Sequence, residues 1–120
     1  MIDHVTVRTK DFAKARAFYQ KALAPLGYKV LMEFGDQALG MGADRPDFWI
    51  GAGEPTERVH VAFAAADRET VDAFHAAALE AGGRDNGAPG LRPHYHESYY
   101  GAFVHDPDGH NIEAVCHRQG

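Results

Sequence analysis

The chain has 120 residues, 45% of them hydrophobic and 24% charged, enough for one domain whose core needs no disulfide. A formal net charge of −5 argues against a nucleic-acid partner, which a basic face would have to recruit. No apolar run approaches the roughly 18 residues of a membrane span. The single cysteine, Cys116, excludes an internal disulfide, and no basic stretch followed by an apolar run marks an export signal, so the expected setting is a reducing cytoplasm.

In chain order, Ile2–Arg8 alternates, with Val5 and Val7 on one side and His4, Thr6 and Arg8 on the other, the pattern of a half-buried strand. Asp11 stands where a carboxylate caps a helix. Over residues 12–24 Ala15, Phe18, Tyr19, Ala22 and Leu23 recur at helical spacing before Pro25-Leu26-Gly27 ends the run. Three short strands follow, about Tyr28–Phe34, Gln37–Met41 and Phe48–Gly51, with turns at Gly35-Asp36 and Arg45-Pro46-Asp47.

After a seam near Gly53–Glu57 the pattern starts again. Val59, Val61 and Phe63 alternate with His60 and Ala62, and Asp67 precedes a helix over 68–81 that carries Val71, Phe74, Ala78 and Leu79. Tyr99–His105 and His110–His117 flank Asp106-Pro107-Asp108-Gly109, a strong hairpin signal. Between Asn86 and Ser98 lies a stretch punctuated by Gly and Pro and rich in His and Tyr. It holds about eight residues more than its counterpart, extra length of a kind that serves binding sites.

Superposing residues 4–27 on residues 60–83 makes the recurrence explicit. His4, Val5, Asp11, Ala17, Phe18, Ala22, Leu23 and Gly27 fall on identical residues 56 positions later, eight identities in 24 positions. The chain therefore reads as a tandem duplication. The expected fold is α+β: one domain, 1–120, of two βαβββ modules, about 1–53 and 57–118.

Ile2-Asp3-His4-Val5, the helix pieces Phe18-Tyr19 and Ala22-Leu23 with Gly27, and Asp106-Pro107-Asp108-Gly109-His110-Asn111-Ile112-Glu113 resemble signatures of the vicinal-oxygen-chelate superfamily. That superfamily includes glyoxalase I, extradiol dioxygenases, fosfomycin-resistance enzymes and bleomycin-binding proteins, and the resemblance covers nearly the whole chain. It implies two modules whose curled mixed sheets enclose a cup, with the helices outside. It also implies metal ligands on the first and last strand of each module. These positions are His4 and His60 on the first strands and Glu113 on the last strand of the second module. The fourth is Trp49, which cannot ligate. Two histidines and a glutamate are the set extradiol dioxygenases use for iron or manganese, and such a face also suits nickel or zinc.

The residues read alone are consistent with that placement. His4, His60, Glu113 and Trp49 each lie on the side of an alternating strand opposite its aliphatic neighbours. A lone strand histidine is ordinarily a surface or hydrogen-bonded residue. Two at equivalent places of a repeat, with a glutamate on the matching last strand, favour a ligand set. His94, Tyr95, His96, Tyr99 and Tyr100 form a second cluster, expected to line the cup or fold over it.

Glu113, His94, His96 and Tyr100 are the candidates for proton transfer. Arg8, Trp49, Tyr99 and Tyr100 are the candidates for substrate contact; glyoxalase I has an arginine similarly placed to Arg8 that meets its substrate's carboxylate. His110 and His117 read as exposed strand residues, and Cys116 as packed under a helix.

Two functions follow. The first is a metal-dependent enzyme, of lyase, isomerase or dioxygenase type, holding a divalent ion (Fe, Mn, Ni or Zn) that a small substrate chelates through neighbouring oxygens. The alternative is a metal-free protein that binds or sequesters a small molecule, as the bleomycin-binding relatives do. The open sheet edges and cup wall lead us to expect a homodimer, with the cup formed within one chain or across two.

Overall fold

In a computed structural model, which describes residues 1–119, each module runs strand, helix, three strands. The first comprises β1 (Val5–Thr9), α1 (Phe12–Ala22), β2 (Lys29–Phe34), β3 (Ala38–Gly42) and β4 (Phe48–Ala52). The second comprises β5 (His60–Ala64), α2 (Arg68–Glu80), β6 (Arg84–Leu91), β7 (Tyr100–His105) and β8 (Asn111–Cys116). The sheets have matching orders, β1-β4-β3-β2 and β5-β8-β7-β6. In each, the first and last strands pair in parallel and the rest antiparallel. A parallel pair requires a long crossover, which the helix and two intervening strands supply.

Local chemistry sets the helix ends. The Asp11 carboxylate accepts the Lys14 N–H at 3.1 Å, and Asp67 accepts the Thr70 N–H at 2.8 Å, so both caps act as the sequence predicts. Helix α1 stops at Ala22, two residues early, because Ala24–Leu26 tightens into a single 3-10 turn around Pro25 and closes on Gly27 at φ 82°. A left-handed φ of that size suits glycine.

Other boundaries differ from expectation. Strand β1 begins at Val5 rather than Ile2. Much of the Gly/Pro-punctuated stretch is strand: β6 runs through Pro89 to Leu91, with register shifts against β7 that absorb the irregular residues. Only Arg92–Tyr99 is loop. Leu79, expected to face the core, lies on the exposed side of α2.

The helices pack on each other, and the core joins both modules. Phe18, Tyr19, Phe48 and Phe74 are fully buried. The Phe48 ring lies 4.9 Å from Tyr19 and 5.1 Å from Phe63 of the second module, an aromatic contact worth more than its buried area. Cys116 is buried in this core. No helix among the described residues is long and apolar enough to cross a membrane.

Buried polar links cross the same boundary. The Tyr19 hydroxyl of α1 donates to Asp106, which also accepts the N–H groups of Asp108 and His110. His110 is 2% exposed, not an exposed strand residue as the sequence suggested. The turn before β8 tucks its ring between the modules. There Nδ1 accepts the Val59 N–H at 3.1 Å, and Nε2, 2.9 Å from the Arg8 carbonyl, donates to it.

Candidate metal centre

The parallel pairing of β5 with β8 sets Ala62 opposite Glu113. Side chains two apart on a strand share a face, so His60 projects on the same side as Glu113. Their polar atoms converge: His60 Nε2 is 2.7 Å from Glu113 Oε1. Glu113 is 1% exposed, whereas the His60 side chain is 53% exposed. A buried carboxylate is costly without partners, and the other oxygen has one, the Tyr99 hydroxyl. Burial, and then the bond to Glu113, hold the Tyr99 phenol well above its usual range, which keeps it a neutral donor.

Gly101 permits this approach, since a Cβ there would lie 3.2 Å from the Tyr99 ring and 3.3 Å from Glu113 Oε2. Phe103 stands opposite Glu113 in the register, with its ring 6.2 Å from that of His60.

The first module presents a different surface at the equivalent place. Thr6 pairs with Trp49 as Ala62 pairs with Glu113, and Thr6 and Ala62 are 56 residues apart. Trp49 therefore stands in the structural position of Glu113. Its ring lies over Gly40, where a Cβ would come within 2.8 Å, and stacks on Phe34 at 6.1 Å. Phe34 and Met32 on the same side of β2 are 56% and 43% exposed, so an apolar strip remains open. The Arg8 guanidinium extends beside Gly53.

The fold has counterparts among known proteins. The chain matches the model of the Glyoxalase/Bleomycin resistance protein/Dioxygenase superfamily over residues 1–114. It belongs to this superfamily. A glyoxalase/bleomycin resistance protein from Albidiferax ferrireducens is similar at 29% identity and TM-score 0.83, over 98% of each chain. Lactoylglutathione lyase from Agrobacterium tumefaciens shares the fold at 16% identity and TM-score 0.74, over 97% of this chain and 92% of that one. So does a fosfomycin resistance protein from Listeria monocytogenes, at 21% identity and TM-score 0.72, over 96% of this chain and 88% of that one. That protein was solved with Mn(II) and a dihydroxypropylphosphonic acid. A comparison with curated proteins gives no match.

Of the three positions that the superfamily resemblance marks as ligands, one chain brings together two. His4 precedes β1, and its ring bonds the neighbouring Asp3 at 2.8 Å. No group of three His, Cys, Asp or Glu side chains that could hold a metal ion occurs among the described residues. His60 and Glu113 do offer the nitrogen and carboxylate oxygen that a divalent first-row ion takes, so the pair fits such an ion as part of a larger set.

The loop candidates divide. Tyr99 reaches Glu113. Tyr100, next in sequence, points to the helix side, where its hydroxyl donates to Asp72 at 2.6 Å and Arg68 lies over its ring. His96 Nε2 meets His117 Nδ1 at 2.6 Å on the exposed side of Tyr99, and His94 packs on Tyr95. Sequence reasoning missed Arg92, which lies 5.4 Å over the Phe103 ring. An arginine at the start of a His- and Tyr-rich loop carries no spacing signal that would single it out.

Proposed function

We propose that this chain is a metal-dependent enzyme of the superfamily, of lyase, isomerase or dioxygenase type, acting on a small molecule with neighbouring oxygens. The observation that carries the reading is the convergence of His60 with the buried Glu113. The ion would be held by His60 and Glu113 of one subunit and His4 of a second copy in a homodimer.

Three features support the two-copy arrangement. His4 is exposed and apart from the other two. Strands β1 and β5 end their sheets with open edges. The Met32–Phe34 strip lies uncovered. When bound, such an ion supplies Lewis-acid polarisation of the chelating oxygens.

The chain's own residues supply the rest. Tyr99 fixes the orientation of Glu113 by donating its hydroxyl to it. Trp49 and Phe34 form an apolar wall that suits a flat substrate and excludes water. Arg8 and the loop residues His94 and His96 would supply polar groups at the rim. The unpaired, buried Cys116 accords with a cytoplasmic setting.

A second reading has its own observation. Trp49, standing where relatives carry a ligand and stacked on Phe34, is an aromatic platform that could grip a molecule with no metal at all. A screen of catechols, 2-oxoaldehyde–thiol adducts and epoxides, with Fe(II), Mn(II), Ni(II) and Zn(II) each supplied, separates the two. We expect about one ion per chain, as a three-ligand centre of this donor type would hold, and turnover of at least one substrate class. Tight binding without turnover under every metal, unaffected by Glu113→Gln, would favour the binding protein instead.

A further inference from the structure

Arg92 opens the loop between β6 and β7, and its backbone N–H donates to the Tyr99 carbonyl at 2.7 Å. It is therefore tied to the same tyrosine that holds Glu113. The side chain is fixed as well. One terminal nitrogen donates to the Gly90 carbonyl at 2.9 Å and the other to the Ala88 carbonyl at 2.8 Å. The guanidinium lies 5.4 Å over the Phe103 ring. Gly87 and Gly90 make room for it, since a Cβ on either would sit 3.2 Å from a guanidinium nitrogen.

Phe103 also neighbours His60, ring to ring at 6.2 Å. Arg92 and His60 thus flank one aromatic ring on the face of the second sheet that bears Glu113.

A guanidinium carries five N–H donors in a fixed fork. Two are engaged by backbone carbonyls. No carboxylate pairs with Arg92 among the described residues. Stapling the loop accounts for the two engaged donors and leaves the charge without a counter-ion. An arginine whose orientation is set in advance loses little freedom when it binds an anion, and it matches a planar or tetrahedral oxyanion through two parallel bonds.

We propose that Arg92 is the anion-recognition residue on this face of the second sheet, taking a carboxylate or phosphonate group of the substrate whose other end meets His60 and Glu113. This rests on the proposed function in placing the active site at His60 and Glu113, but not in requiring the metal.

The test compares benzoate and phenylphosphonate with benzamide, a neutral molecule of benzoate's shape, by calorimetry on the full-length protein. We expect one of the anions to bind the wild type about tenfold or more tighter than benzamide, the range of a charged hydrogen-bonded contact. The preferred anion identifies the class. Arg92→Gln should abolish the preference. Arg92→Lys, which keeps the charge but not the fork, should reduce it, and it serves as the measurement should the Gln variant disturb the loop. His60→Ala should keep the preference while losing metal, which separates this inference from the metal reading. Equal binding of all three molecules by the wild type, a preference intact in Arg92→Gln or Arg92→Lys, or one that disappears in His60→Ala would overturn the assignment.

Discussion

Replacing His60 with alanine is expected to strip the metal from the purified protein and abolish turnover while leaving the fold in place. Among the described residues, His60 supplies the only nitrogen brought to the Glu113 carboxylate within one chain. Its side chain is 53% exposed, so little packing is lost with it. The structural cost falls on Glu113, which keeps Tyr99 as its partner; losing one bond to a buried group costs about 1–3 kcal/mol. Tyr99→Phe gives a graded comparison. It removes a group that orients the proposed ligand Glu113 without being one, and such changes lower metal affinity about 10–100-fold. Loss of His60 should exceed that. Metal content after gel filtration, with circular dichroism as the fold control, reads both variants. Unchanged stoichiometry in His60→Ala would refute the ligand assignment.

The largest effect on stability is expected at Asp106. Its carboxylate is 3% exposed and accepts the Tyr19 hydroxyl and the N–H groups of Asp108 and His110. It thereby ties α1 of the first module to the β7–β8 turn of the second. The Tyr19 phenol is fully buried, and burial, then the neighbouring carboxylate, hold it well above its ordinary range, so it can only donate. Asp106→Ala would leave that hydroxyl and two N–H groups without an acceptor. Each buried donor left unsatisfied costs about 1–3 kcal/mol, so losing the acceptor of all three takes a large share of the roughly 5–15 kcal/mol of a typical domain. Tyr19→Phe removes one donor and leaves the two N–H bonds, so about 1–3 kcal/mol is expected. The double variant should cost less than the sum, because the partners are in direct contact. Urea unfolding midpoints measure all three. A loss below about 1 kcal/mol for Asp106→Ala would show that water replaces the network.

The fold was legible because the duplication is still written in side chains that the structure needs. His4 and His60, Asp11 and Asp67, and Phe18 and Phe74 mark the strand end, the cap and the buried helix face of each module. The resemblance places Trp49 on the last strand of the first module where Glu113 stands in the second, beyond the extra residues of the second copy, and the pairings Thr6 with Trp49 and Ala62 with Glu113 agree with it.

What could not be read depends on contacts distant in sequence. His110 looked exposed because it follows a turn, yet both its ring nitrogens meet backbone from Val59 and Arg8. Tyr99 and Tyr100 are adjacent in sequence, and which of them faces Glu113 depends on where β7 enters its sheet. Arg92 is defined by carbonyls of Ala88 and Gly90 and the ring of Phe103, none of which a periodicity reveals. The repeat also shows that His4 and His60 are equivalent without showing that they are neighbours.

Subunit mixing tests the shared centre most directly. His4→Ala and His60→Ala homodimers should each bind no metal. Unfolded together in equal amounts and refolded, they should form mixed dimers in which one of two sites keeps His4 from one copy and His60 with Glu113 from the other. Random pairing in a two-fold dimer restores about a quarter of the wild-type metal content. Recovery near that level, with activity rising in parallel, is the result expected of a centre shared between copies. No recovery on mixing would contradict it.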